Sequence, residues 1–112
     1  MTAQAALTDR VRALLDDQPV SREMSMFGGR CFMVNEKLLV SALKSGGLLV
    51  RVAADRHETL LDRAGAVQAE MGPGRDMGPG WIEVSAESLA ADAELAFWVT
   101  TALAHNRELA SR

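Results

Sequence analysis

The sequence predicts an α+β fold, a mostly antiparallel β-sheet flanked by helices in the order α-β4-α-β2-α. Three observations carry that expectation. Apolar residues follow helical spacing at both ends of the chain, the mark of amphipathic helices. Between Met24 and Val52, short apolar runs are separated by turn signals at Gly28-Gly29, at Asn35-Glu36-Lys37 and at Ser45-Gly46-Gly47, as in hairpin-connected strands. Beyond Val52 the period turns helical, then strand-like, then helical again.

At the N-terminus, Leu7, Val11, Leu14 and Leu15 share one face of a helix over 3–15, with Asp9, Arg10, Arg12 and Asp16 on the wet side. It ends before Gln18-Pro19, because proline disfavours helical angles in the residue before it. Val20 to Met26 alternates and reads as a first, edge strand with Val20, Met24 and Met26 inward. Gly28-Gly29 supplies a bend with backbone angles that side chains resist. Cys31 to Val34 and Leu38 to Leu43 are the second and third strands, and Asn35 opens the turn between them because asparagine tolerates left-handed angles. Leu48 to Val52 is the fourth.

Asp55 then stands as a candidate N-cap for a short helix through Thr59-Leu60-Leu61, with His57 and Glu58 in a solvated first turn, ending near Gly65. Val67 to Met71 is a fifth strand. The segment from Gly72 to Gly80 holds four further glycines or prolines between its ends and reads as one irregular loop. Trp81 to Val84 is the last strand, and Ser85 and Ser88 cap the final helix. From Leu89 to Leu109 the set Leu89, Ala93, Ala96, Phe97, Thr100, Leu103 and Ala104 forms one helical face. Leu95, Trp98, Val99 and Ala102 form a second flank. A helix apolar over so much of its circumference needs more than one cover, so the expectation is the sheet on one side and a partner subunit on the other, with Trp98 the candidate interface anchor.

Composition bounds the function. At 112 residues, with 48% hydrophobic and 24% charged, the chain fits one globular domain over 1–112 and neither a disordered nor a membrane class. No apolar run approaches the roughly 20 residues of a membrane span. The start lacks the basic flank and apolar block of a signal peptide. Cys31 is the one cysteine, so no internal disulfide forms, and the expected compartment is the cytoplasm. A net charge of −3 provides no positive field for phosphates, so direct nucleic-acid binding is not expected.

No catalytic, cofactor or metal constellation stands out. Cys31 is the one candidate thiol, with Arg30 beside it to favour a thiolate. Successive strand residues point to opposite faces, however, and the apolar neighbours Phe32 and Met33 favour a buried, structural cysteine. A nucleophile also needs a positioned base, and neither His57 nor His105 is placed near it by sequence. Arg22, Arg30, Arg51 and Arg75 are candidates to converge on a partner's carboxylate or phosphate, against scattered surface arginine. Met24, Met26 and Met33, with Met71 and Met77, read as core filling before a ligand groove.

Met26-Phe27-Gly28-Gly29, followed by Cys31-Phe32-Met33-Val34-Asn35, Gly47 to Val52, the Gly/Pro loop before Trp81 and Phe97-Trp98-Val99, closely resembles the TfoX N-terminal domain family over nearly the whole chain. The resemblance implies a fold of the YgaC/TfoX-N type, similar to secretion chaperones, and assigns Met26, Phe27, Gly28, Gly29, Phe32 and Asn35 to its bend and hairpin. Members include the TfoX/Sxy regulators of bacterial competence, which promote transcription of DNA-uptake genes with the cyclic-AMP receptor protein. Those regulators carry a second, C-terminal domain that this chain lacks, so competence activity itself is not expected to transfer. The resemblance implies a non-enzymatic regulatory or protein-interaction module with a protein partner such as transcription machinery, and the second apolar flank of the last helix adds the expectation of a homodimer. A small enzyme or thiol sensor using Cys31 is the alternative, and direct DNA binding a third.

Overall fold

In a computed structural model, residues 1–18 and 22–111 are described. Helix α1 spans Ala3–Leu14, and the Thr2 hydroxyl starts it by accepting the Ala5 amide at 3.0 Å. Strands β1 (Arg22–Met26), β2 (Gly29–Val34), β3 (Lys37–Ala42) and β4 (Leu48–Arg51) follow as successive hairpins. A 3-10 turn at Ala54–Arg56 leads into the short α2, His57–Leu60. Then come β5 (Ala66–Gln68), β6 (Glu70–Gly72), β7 (Arg75–Asp76) and β8 (Trp81–Val84). A 3-10 turn at Ser88–Ala90 precedes α3, Asp92–Ala110.

The six-stranded sheet runs β1-β2-β3-β4-β8-β5, antiparallel throughout, and β6-β7 is a separate small hairpin. The expected α-β4-α-β2-α order therefore holds, with that hairpin inserted. It corrects the reading of 72–80 as wholly irregular: Gly74 takes a φ of 75°, the left-handed angle a tight turn needs, and lets β7 fold back on β6. The expected fifth strand, Val67 to Met71, is likewise split at Ala69 into β5 and β6. Val20, expected inside the first strand, lies outside the described residues.

Register sorts the strand side chains into two faces. One cross-strand row is Glu23, Phe32, Val40, Val50, Ile82 and Gln68, and the next joins Ala42, Leu48 and Val84. Phe32, Val40, Val50, Ile82, Leu48 and Val84 are fully enclosed, packed with Leu7, Val11 and Leu15 of α1 and Leu95, Trp98, Val99 and Ala102 of α3. A bulge in the β2-β3 pairing at Phe32/Met33 accompanies the burial of both Leu39 and Val40 in that core. Both long helices thus cover the same face of the sheet.

The helix α3 reverses an expectation. Its core stripe is Leu95, Trp98, Val99 and Ala102, the set read as a second flank, joined by Leu103 of the first set, while Ala93, Thr100 and Ala104 of that first set are exposed and Leu89 is buried ahead of the helix. The larger side chains won the interior because each buried large apolar group is worth about 1.5–3 kcal/mol, far more than an alanine. No second surface is needed to cover this helix. Asp55 does not cap α2, whose N-cap residue is Arg56 and carries no side-chain cap.

Candidate interaction surface

The signature stretch forms the β1-β2 hairpin, and its two glycines serve different needs. Phe27 and Gly28 occupy the turn with φ of 52° and 81°, the pair of left-handed angles of a two-residue hairpin turn. Gly29 has ordinary angles, but a Cβ there would overlap the Ser41 hydroxyl on β3. Ser41 in turn accepts the Cys31 thiol at 3.4 Å. Phe32 is fully buried in the core. The Phe27 side chain is 99% exposed, so it serves the bend through its left-handed backbone, which turns the ring outward, away from the sheet.

Asn35 and Glu36 make the next turn, both left-handed at φ 54° and 62°. Asn35 Nδ2 donates to Asn106 Oδ1 at 2.9 Å, and buried Asn106 donates to the Val34 carbonyl at 2.9 Å. The end of α3 is pinned to this turn. Trp98, the candidate interface anchor, is fully enclosed by the chain's own core. A side chain without exposed surface has nothing to offer a partner.

The face of the sheet opposite the helices carries apolar side chains that lie outside the core cluster. Its central row is Met24, Cys31, Ser41, Leu49, Glu83 and Val67, and beside it run Met33 paired with Leu38 and Arg51 paired with Trp81. None of these side chains belongs to the core cluster. Met24 is 37% and Val67 56% exposed, with Met33, Leu38, Leu49 and Trp81 half-buried among their neighbours. The expectation that Met24, Met26 and Met33 fill the core is therefore corrected: register places them on this open face. Sequence carried a signal for it. Cys31 to Val34 and Leu48 to Val50 are continuous apolar runs, a pattern of strands covered on both faces rather than one.

The arginines do not converge. Arg22 pairs with Glu36 at 3.2 Å, Arg30 with Glu23 at 3.1 Å on the helix side, and Arg51 lies 5.3 Å from the Trp81 ring centre on the open face. Arg75 is exposed on β7. Arg12 also grips Glu23, at 2.6 Å, so two guanidiniums share one carboxylate. The Arg12 hydrogen bond is the main cause that holds Glu23 below its ordinary value of 4.5. On the other side of the molecule, Arg63 makes two bonds to Glu94 at 3.1 and 2.8 Å and lies 3.6 Å over the Phe97 ring. Glu94 is lowered in turn, chiefly by those bonds. Two open depressions of the surface, about 420 and 260 Å³, are lined in part by Arg63 with Glu94 and by Arg12 with Arg30.

Cys31 is buried and unpaired with any cysteine. Its neighbour Arg30 faces the opposite side of the sheet, engaged with Glu23 and Ser25. His57 is the residue that sequence reasoning missed. Expected in solvent, it is buried, and its Nδ1 accepts the Gly80 amide at 2.9 Å. Nε2 must then carry the proton, which it donates to Gln68 Oε1 at 2.8 Å. Gln68 Nε2 donates onward to the carbonyls of Ala69, Gly78 and Trp81. No local pattern reveals this, because the partners lie 11 and 23 residues away. Among the described residues, no three metal-ligating side chains come together.

A six-stranded antiparallel sheet with its long helices on one face defines an α+β open-faced sandwich. Residues 13–106 match the model of the TfoX N-terminal domain, and the chain belongs to that family. Comparisons with curated proteins and with solved structures gave no match.

Proposed function

We propose that the chain is a non-enzymatic regulatory module that works by holding a protein partner, in the manner implied by the TfoX/Sxy regulators. The observation that carries this reading is the open sheet face, where Met24, Met33, Leu38 and Leu49 sit outside the core cluster. A contiguous apolar patch left on the surface of a small domain marks an interaction site. The partners that fit are a second copy of the chain and a protein of the transcription machinery.

Other roles draw less support. The Cys31 thiol is buried against Ser41, whereas a reactive thiol needs an exposed, electropositive setting. Both ring nitrogens of His57 are committed to structural bonds, which leaves it no proton to exchange with a substrate. Arg12, Arg22, Arg30 and Arg63 are each held by a carboxylate, which argues against a phosphate-tracking surface. No helix among the described residues is long and apolar enough to cross a membrane. A lone thiol fits the reducing cytoplasm.

Transcript profiling of the host tests the regulatory role. Deleting the gene should shift a defined set of transcripts, wild type should restore them, and Leu49→Asp, which places a charge in the centre of the open face, should not. Transcripts unchanged by the deletion would overturn the reading.

A further inference from the structure

We infer that the open face of the sheet packs against the same face of a second copy of this chain, with Arg51 of each copy meeting Glu83 of the other. The inference rests on the interaction-module reading and names its partner.

The first support is the charge pattern of the face. The central row and its neighbours on β2, β3, β4 and β8 carry two ionisable charges, Arg51 and Glu83. They are diagonal neighbours across the β4-β8 pair, where Arg51 opposes Trp81 and Leu49 opposes Glu83. Diagonal side chains lie roughly 7–8 Å apart and are within reach of one another. Yet Arg51 lies toward the Trp81 ring, and neither residue has an ion pair among the described residues. All the other ion pairs lie off this face or at its margin. One positive and one negative charge left open on an apolar surface is a self-complementary pattern. A two-fold axis brings residue i against j and j against i, so one rotation satisfies both charges twice. A partner of single-signed charge would satisfy only one of them.

The second support is the length of the apolar runs in β2 and β4. In antiparallel sheets one solvated face produces alternation, whereas continuous runs belong to strands covered on both sides. The helices cover one side of Phe32, Val50 and Val40, and the sequence has written apolar side chains on the other as well. Two such faces stack about 10 Å apart with interdigitated side chains.

The footprint sets the strength. Six strands at ~4.8 Å spacing and about five residues long cover on the order of 24 by 17 Å, roughly 400 Å² per copy, which is below the standard size of a specific interface and in the range of weak, transient association. Self-association is therefore expected in the micromolar range rather than as a permanent dimer.

Sedimentation velocity on the full chain, from about 1 to 300 µM, reads this directly. Wild type should move from monomer to dimer across that range. Glu83→Arg, which turns each reciprocal pair into two like charges, should weaken the dimer by more than about tenfold, and Arg51→Glu should do the same. The double variant R51E/E83R restores opposite signs across the axis and should return the dissociation constant to within about threefold of wild type. Ala93→Asp on the exposed side of α3 is the control and should leave it unchanged. Circular dichroism of each variant confirms folding, and Arg51 and Glu83, half-buried on the sheet face, lie outside the core cluster.

A wild type that remains monomeric at 300 µM overturns the inference, as does a dimer indifferent to both single charge reversals. A double variant no better than the singles also overturns it. Failure here is separable from failure of the regulatory reading: transcripts that respond to the gene while the protein stays monomeric would place a different protein on this face.

Discussion

At the scale of the residue, the signature Gly28-Gly29 resolves into two distinct physical demands. Gly28 is needed for its backbone angle, φ 81°, and its absent Cβ would meet only the flexible end of Lys44. Gly29 is needed for space against the Ser41 hydroxyl. The two alanine substitutions should therefore differ in what rescues them. Gly28→Ala should cost about 1–2 kcal/mol through left-handed strain alone, whatever stands at 41. Gly29→Ala should cost about 1–3 kcal/mol by overpacking, and adding Ser41→Ala should recover most of it. Urea denaturation of the four-membered cycle at 29 and 41 checks this, and an additive cycle would show that the overlap is not the reason for glycine. Phe27 beside them carries the same left-handed strain with its ring in water. The fold gains nothing visible from that ring.

At the scale of the element, the link from α2 to the start of β8 is made by one buried imidazole. His57 accepts the Gly80 amide and donates to Gln68, and Gln68 ties together the carbonyls of Ala69, Gly78 and Trp81. His57→Leu keeps the apolar bulk but strands two buried polar partners, each worth about 1–3 kcal/mol when left unsatisfied. The variant should lose stability of that order, and the Gly80 amide should exchange with solvent faster than in wild type. Unchanged Gly80 exchange would mean that the loop is held by other contacts. The opposite end of the sheet is fastened similarly, by Asn106 of α3 to Val34 and Asn35. Both fastenings join residues far apart in sequence.

At the scale of the whole molecule, two carboxylates respond to acid. Glu23 between Arg12 and Arg30, and Glu94 under Arg63, both sit below their ordinary value of 4.5 in the folded chain. A depressed carboxylate stabilises the fold fully above its unfolded value and loses that contribution as pH falls through its folded value. Stability should thus be flat from pH 7 to about 5 with respect to these groups and fall below about 4.5. Glu23→Gln removes one of them, so its urea midpoint should depend less steeply on pH in that acid range. A variant as steep as wild type would assign the acid sensitivity elsewhere. The gain at neutral pH is small, because both arginines of the Glu23 cluster are substantially exposed and water screens them.

Much of the fold was legible because its causes are local. The turns expected at Gly28-Gly29, Asn35-Glu36-Lys37 and Ser45-Gly46-Gly47 are signalled by Gly28, Asn35 and Gly46, residues that tolerate the left-handed angles they adopt, and the helical spacing of Leu7, Val11 and Leu15 needs only an apolar surface to dock on. The family signature around Gly28 and Gly29 belongs to the same local class. What tertiary structure alone decided is which of two apolar faces each element would bury. For α3 the choice fell on the stripe with Trp98, and for the sheet on the side of Phe32, Val40 and Val50. Spacing counts apolar residues on a face without weighing their volumes, and burial energy grows with area. The same limit hid His57 and the open face with Arg51 and Glu83: hydrogen-bond partners and neighbouring charges are set by register between strands distant in sequence, which no local pattern contains.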